Sequence, residues 1–463
     1  MKNANSIWQE GRQSLIESEI IRRRDVRDML TFTIDPTDAK DFDDALSFLK
    51  NEDGTFLVGV HIADVTHYVL AGDDLDKRAY EKATSIYYVD HVDPMLPEEL
   101  CNDLCSLNPN EDKLCMSVMF TMDADAHVLK YKVCRTVIRS DFRLTYEDAQ
   151  SILDNAATLA PLSGHSELSE ALHTLNDFAK KLRTQRMANG ALDIEQEEPR
   201  FRLDEHGHPI DIYFAHPTDA NHLIEEFMLL ANRTIATDMG RRGHPFVYRV
   251  HDKPDQEKLE KVSHFKSEMG NRLPSSVIEM LTIRAMAKAV YSPKNIGHYG
   301  LAFDYYTHFT SPIRRYPDMM VHRLVAQHIL GQRVKSTNID LEEACDHCSE
   351  REQNAQQEER DSIKQMMALW MTDHLGEVFS GTIVNVVDFG VFVQLDGNRC
   401  EGLIHVTDLV EDDYMNYDEK NFRLIGERTG KTFTLGDKLR VQVIRADAER
   451  RQIDFALADK ELN

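Results

Sequence analysis

Two periods of hydrophobic and polar positions divide the chain. Short apolar or alternating runs at 45–49, 56–63, 114–122 and 133–139 predict the strands of a sheet-rich core, and Val58-Gly59-Val60-His61-Ile62-Ala63 reads as a buried one. Apolar residues at helical spacing predict helices over Asp73–Ala83, Leu144–Leu153 and Leu168–Ala188. His222–Met239 is amphipathic, with Leu223, Phe227, Leu230 and Ile235 on or near one face and Asp219 upstream as a cap. Val277–Val290 and Tyr316–Leu330 share the same period. Residues 341–374 carry neither proline nor glycine, which predicts one long helix linking the body to the C-terminal part of the chain. Ser6–Leu30 has helical spacing and the basic cluster Arg22-Arg23-Arg24, as a lead-in segment would. Thr158–Ser166, with Pro161 and Gly164, reads as a surface connection.

After Gly376 the texture changes. Val378–Asp396 predicts a hairpin turning around Asp388-Phe389-Gly390, and further short strands are expected at 402–406, 438–446 and 452–457. Short strands without intervening helices predict an independent all-β barrel of OB-fold type. The expected architecture is therefore an α/β (α+β) body followed by a small barrel. The expected limits are a lead-in at 1–30, a body at 31–376, a barrel at 377–458 and a tail at 459–463.

Composition changes this picture little. The 463 residues suffice for about three domains. No stretch approaches the ~20 apolar residues of a membrane span, and Met1–Glu10 lacks the apolar segment of a secretory leader. Seven scattered cysteines suit reduced thiols, so a cytoplasmic location is expected. The net charge of −25 argues against coating nucleic acid through general basicity. It leaves open a nuclease whose positive charge is confined to a channel.

Candidate chemistry concentrates in Thr31–Ala45, which holds Asp35, Asp38, Asp41, Asp43 and Asp44. At ~4 Å and surface-like screening, two like charges repel by a few kcal/mol, so something must offset them. Hard oxygen ligands without a nearby His or Cys point to Mg²⁺, or Mn²⁺, rather than zinc. The alternatives are a solvated acidic loop or a structural calcium site. An EF-hand is excluded because its central glycine and twelfth-position glutamate are missing, and the buried strand at 58–63 sets the aspartates against a core.

His308–Asp318 is the second such stretch, in which Arg314 or Arg315 could fork against phosphate oxygens. Either arginine could equally pair with an acidic helix. Cys345-Asp346-His347-Cys348 has the look of half a zinc site, but no second pair lies at suitable spacing. His61, His222, His298 and His308 are expected to be packing residues. Phe389, Phe392 and His405 are candidates for a base-stacking platform. Alternation puts Phe389 and Val391 on one face and Phe392 on the other, which requires partial exposure.

The motif T-I-D-P-T-D-A-K-D-F-D-D-A resembles the aspartate motif of the RNase II and RNase R group of processive exoribonucleases. The resemblance continues in order through V-G-V-H-I-A-D-V, P-M-L-P-E-E-L, C-S-L-N-P, H-L-I-E-E-F-M-L-L-A-N, Y-R-V-H, G-H-Y-G-L-A and T-S-P-I-R-R-Y-P-D. It covers nearly all of Ile21–His374, as an RNB-type catalytic body. G-T-I-V-N-V-V-D-F-G-V-F-V with E-G-L-I-H-V is similar to the S1 RNA-binding domain, and R-R-Y-P-D is closer to RNase R than to RNase II.

This resemblance implies 3′→5′ hydrolysis of single-stranded RNA to nucleoside 5′-monophosphates in RNA turnover, by two Mg²⁺ ions about 4 Å apart. It implies that Asp35, Asp41, Asp43 and Asp44 are the metal and catalytic carboxylates, that Asp43 matters most, and that Asp38 is variable. It implies that Arg314 holds the scissile phosphate with Glu359 nearby, and that Tyr87, Tyr146 and Glu226 contact the terminal nucleotides. Phe389, Phe392 and His405 would grip RNA, and a monomer is expected. The group carries two cold-shock-type domains before the body and often a lysine-rich tail. The chain is therefore expected to be a fragment or a naturally short form. The rival readings are a silent RNA-binding protein on the same scaffold, and an endonuclease or DNA-directed enzyme.

Overall fold

Seven strands form the sheet on which the body is built: β1 (Arg24–Asp25), β2 (Leu30–Asp35), β3 (Asp44–Lys50), β4 (Phe56–Ala63), β5 (Asp112–Met122), β6 (Val128–Arg139) and β7 (Phe142–Thr145). Their order is β1-β6-β5-β4-β3-β2-β7. The outermost pairs are parallel and the inner ones antiparallel. The computed structural model describes residues 17–155, 166–192, 198–269, 275–335 and 340–458. Among them, no helix is long and apolar enough to cross a membrane.

The inner strands are buried almost throughout. One row of polar residues inside is paired, as burial demands. His61 on β4 is hydrogen-bonded to Ser47 on β3 and Ser117 on β5, both at 2.8 Å, and Ser117 to Thr136 on β6 at 2.6 Å. Gly59 leaves room for this row, because a Cβ there would stand 2.4 Å from Ser47 Oγ and 2.5 Å from His61 Nε2. Burial pushes the His61 ring down to about 3, with the Arg24 charge adding to the effect. The ring is neutral and structural, as its sequence setting suggests.

The helices are α1 (Asp74–Lys82), α2 (Tyr146–Leu153), α3 (Ser166–Ala188), α4 (Asp219–Arg241), α5 (Gln256–Met269), α6 (Ser275–Ala285), α7 (Tyr316–Ile329) and α8 (Leu341–Thr372). Four local expectations are corrected. The 144–153 helix starts only at Tyr146, because Thr145 and Asp148 form a reciprocal cap and 142–145 extends the sheet. The cap of α4 is Thr218, with Asn221 closing the box, and Asp219 is the first helical residue. The 277–290 helix ends at Ala285, and β-branched Val290 instead pairs with Val250. Arg24–Asp25 and Leu30 belong to the sheet rather than to a helical lead-in. Arg23, beside them, is buried against Asp64 at 2.8 Å. The expected connection at 158–166 falls, up to residue 165, outside the described residues, as do the first sixteen residues and the tail at 459–463.

A hairpin, β8 (Glu198–Leu203) with β9 (Pro209–Ala215), precedes α4. After α8 the chain closes a five-stranded barrel of β10 (Val378–Val387), β11 (Gly390–Leu395), β12 (Glu401–His405), β13 (Lys438–Asp447) and β14 (Gln452–Leu457), in the order β10-β11-β12-β14-β13. The expected OB-type barrel is thus present. A small three-stranded sheet within 415–434 is inserted between β12 and β13.

Barrel and body share apolar contacts. Phe265 and Leu281 of α5 and α6, Ile212 of β9 and Met371 of α8 belong to one buried cluster with Val391, Val393 and Phe455 of the barrel. Phe265 meets Phe422 edge-on with ring centroids 5.0 Å apart, and the Arg399 guanidinium lies 4.6 Å over Phe214. Arg451 at the β13–β14 turn pairs with Asp361 of α8. The barrel is seated on the body, with α8 between them.

Candidate active site

The four aspartates come together because β2 and β3 part company. Their pairing runs from Leu30↔Phe48 to Phe32↔Leu46 and goes no further, so Asp35 and Asp44 stand at splayed strand ends joined by the 36–43 loop. Arg143 pins the start of that loop by donating to the Pro36 and Thr37 carbonyls at 2.7 and 3.0 Å. Asp38 is exposed within it. Asp43 is 4 % exposed, and its Oδ1 accepts from the Ile313 N–H at 2.8 Å.

The second half of the site is the 308–316 loop before α7. Here the structure separates two arginines that spacing leaves equivalent and of which the resemblance assigns only Arg314 to the phosphate. Arg315 forks onto Asp318, Nε to Oδ2 at 3.0 Å and Nη2 to Oδ1 at 2.8 Å, and the Ser311 N–H donates to the same carboxylate. This fully buried carboxylate braces the loop. Arg314 is free of that duty. Its side chain is 42 % exposed, with Nε 3.7 Å from Asp43 Oδ2 and Nη2 donating to Ser311 Oγ at 3.1 Å. Residues 83–85 zip against the loop through Ser85 N–H to the Arg314 carbonyl and Tyr316 N–H to the Ala83 carbonyl. This strip carries Tyr87 to the aspartates. Tyr87 Oη donates to Asp41 Oδ2 at 3.4 Å, and its N–H donates to Glu359 Oε1 of α8 at 3.0 Å. Tyr146, first residue of α2, lies close enough to Asp44 and Asp35 for their charges, after burial, to raise its hydroxyl pKa.

Electrostatically the cluster is unsettled as it stands. Burial raises the pKa of Asp35, Asp41, Asp43 and Asp44 alike, and the neighbouring Asp44 charge raises Asp35 further. Arg314 opposes this for Asp41, Asp43 and Asp44 without cancelling it. Asp35 Oδ2 and Asp43 Oδ2 are buried with no hydrogen-bond partner. A buried carboxylate oxygen left bare is costly unless a cation completes it. Among the described residues, no group of three or more His, Cys, Asp or Glu side chains is placed to hold a metal ion. Mg²⁺ does not require such a group, since it usually takes one or two carboxylates and fills its octahedron with water and substrate phosphate. The donor set therefore fits a hard divalent ion.

The remaining expected residues are held by other partners. Glu226 of α4 is 3 % exposed and paired with Arg186 of α3, at 2.5 Å from Nη2 and 3.1 Å from Nε. Phe389, Phe392 and His405 are on the barrel. Phe389 is 47 % exposed, and its ring meets that of Phe392 edge-on at 6.3 Å, while Val391 is buried in the barrel. This corrects the expected alternation, which grouped Phe389 with Val391. Phe389 sits in the turn before β11, so strand alternation does not extend to it. His405 is exposed and caps a short helix through Thr407 N–H. Sequence reasoning missed the Ile313 amide, a backbone donor that no side chain advertises, and Asp318, which closes the T-S-P-I-R-R-Y-P-D motif without an evident role.

Comparison with known proteins agrees with this anatomy. The family model described as the RNB domain matches residues 23–331, and that of the S1 RNA binding domain matches 372–458. The chain is 40% identical to Ribonuclease R of Thermotoga maritima, over 96% of this chain and 66% of that protein. It therefore spans just under two thirds of that relative's length. The structure of Mycoplasma genitalium RNase R in complex with ribose methylated single-stranded RNA is similar over 98% of this chain and 75% of that one, with TM-score 0.88 and 28% identity. Yeast Ssd1, a pseudonuclease, shares the fold at TM-score 0.68 and 20% identity, over 88% of this chain and 53% of its own.

Proposed function

The chain belongs to the RNB-domain family, of the ribonuclease R type, and from that premise we propose that it is a 3′→5′ exoribonuclease. It would hydrolyse single-stranded RNA processively to nucleoside 5′-monophosphates and act in RNA turnover. A fold shared with a pseudonuclease does not by itself argue for chemistry, so the reading rests on the site. The observation that carries it is the pair of buried carboxylate oxygens on Asp35 and Asp43 that accept no hydrogen bond, the Asp43 one facing only the half-exposed Arg314 at 3.7 Å. A scaffold that only bound RNA would have no use for this arrangement, and that counts against the silent reading.

Asp35, Asp41, Asp43 and Asp44 would hold two Mg²⁺ ions, with Mn²⁺ as a substitute. Bound divalent ions supply water activation at neutral pH and neutralisation of charge on the departing oxygen. The protein's own residues do the rest. Ile313 N–H fixes one Asp43 oxygen and leaves the other directed at the site. Arg314 has donors to spare for the non-bridging phosphate oxygens, where charge builds in the transition state. Tyr87, 39 % exposed, offers a ring to the terminal nucleotides. Phe389, Phe392 and His405 give the barrel a sequence-tolerant stacking surface. RNA held there would run along α8, whose Asp361 meets the barrel and whose Glu359 meets Tyr87.

The test uses single-stranded RNA blocked at its 3′ or 5′ end, Mg²⁺, and the Asp43→Asn variant. Mononucleotides should be released from a free 3′ end only, and the variant should bind RNA yet release them at least ~10³-fold more slowly. Equal rates in the two proteins, or internal cleavage of the blocked RNA, would refute the reading.

A further inference from the structure

Asp41 is held differently from its three partners. Asp35 and Asp44 stand on strands, and a carboxylate oxygen of Asp43 is fixed by the Ile313 amide. Asp41 lies in the 36–43 loop, half-buried, with Tyr87 Oη at a long 3.4 Å. The loop is instead clamped from behind by Ser106, which is 0 % exposed. Ser106 Oγ–H donates to the Lys40 carbonyl at 2.7 Å and accepts from the Phe42 N–H at 3.0 Å. One hydroxyl thus joins the residues on either side of Asp41. The Leu107 N–H donates to the Phe42 carbonyl at 3.0 Å and makes the clamp two residues wide. Asn108 Oδ1 stands further off, at 3.5 Å.

A hydroxyl has one proton to give and lone pairs with which to accept, and here both roles are taken by the backbone around a single functional aspartate. We propose that Ser106 is the positioning residue for Asp41, setting where its carboxylate meets the metal and the substrate. The inference rests on the reading of Asp41 as a metal carboxylate. An alanine leaves the Lys40 carbonyl and the buried Phe42 amide without this hydroxyl. The loop would then settle elsewhere, and a shift of ~1 Å at a reacting group can cost about 100-fold.

The test is a double-mutant cycle of Ser106→Ala and Asp41→Asn in the full chain, with a labelled single-stranded 20-mer oligo(A) RNA as substrate. Each protein is also titrated with Mn²⁺ alone, and its Mg²⁺-induced rise in Tm is recorded. Ser106→Ala should slow mononucleotide release about 30-fold, weaken Mn²⁺ binding, and leave RNA affinity in EDTA within about 2-fold. Added to Asp41→Asn it should cost nothing more, because its effect runs through that carboxylate. Ser106→Cys, which fills the same space but donates weakly, should fall between wild type and Ser106→Ala, and it carries the test should the alanine variant unfold. Additive losses in the cycle, or an unchanged Mn²⁺ titration in both Ser106 variants, overturn the proposal. If Asp41→Asn itself changes neither metal binding nor rate, the reading of Asp41 falls instead.

Discussion

The aspartate site and the outer face of the barrel solve opposite problems. At the site, charge is buried and incompletely satisfied, with two carboxylate oxygens that accept no hydrogen bond, one guanidinium half in solvent, and pKa values raised by desolvation. On the barrel, Phe389 and His405 are exposed, their backbones are held by ordinary turn and cap hydrogen bonds, and no buried charge is involved. Chemistry needs groups fixed before the substrate arrives, in a setting where water cannot screen them. A sequence-independent grip needs only flat surfaces that any base can cover. The first arrangement costs stability, whereas the second costs little.

Substitutions at four places sharpen or break that contrast. The largest effect should come from Arg315→Ala, which strips the fully buried Asp318 of its fork. Unfolding free energy should fall by about 3–5 kcal/mol in denaturant melts, and an unchanged melt would mean that the brace is ornamental. Its neighbour should behave differently. Arg314→Ala should leave the melt nearly untouched while slowing mononucleotide release by about 10²–10³-fold. Arg314→Lys should recover only part, because an ammonium lacks the fork. Comparable melts and rates for the two arginine variants would erase the distinction drawn between them.

The third substitution concerns pH and belongs to the body's interior. His61 has a folded pKa of about 3 against an ordinary 6.5, so the folded state resists the proton that the unfolded state accepts. Its contribution to stability is present above pH ~6.5 and drains away as pH falls toward 3, by about 2 kcal/mol at pH 5. His61→Asn should therefore flatten the acid limb of a stability–pH curve by about that amount. An unaltered limb would assign the acid sensitivity to other groups. The smallest effect is on the barrel. Phe389→Ala and Phe392→Ala should each weaken binding of single-stranded RNA by about tenfold, measured in EDTA, with the single-turnover rate at saturating RNA unchanged. A slowed turnover step with unaltered affinity would place these rings in the chemistry instead. Point substitutions are the cleaner probe, because deleting the barrel would bare Phe265, Leu281 and Met371 of the shared core.

Much of the molecule is legible in one dimension. The strand runs, the long helix over 341–372, the barrel and the acidic stretch follow from periodicity and local chemistry, because a strand's side chains alternate and a helix's recur whatever surrounds them. The five aspartates of 31–45 are visible as a motif, since repulsion among neighbouring carboxylates requires an explanation even without a fold, and the resemblance sets Asp38 apart from the other four. The resemblance assigned Arg314 to the phosphate, but tertiary structure alone gave the physical reason why its neighbour Arg315 is structural. Arg314 and Arg315 are the same residue type, one position apart, and only the position of Asp318 beneath the loop and of Asp43 in front of it tells them apart. The Ile313 amide and the Ser106 clamp are of the same kind. A backbone donor carries no side-chain signature, and a contact between residues sixty or more positions apart has no local period. Sequence determined which groups are present, and the fold decided which of them face one another.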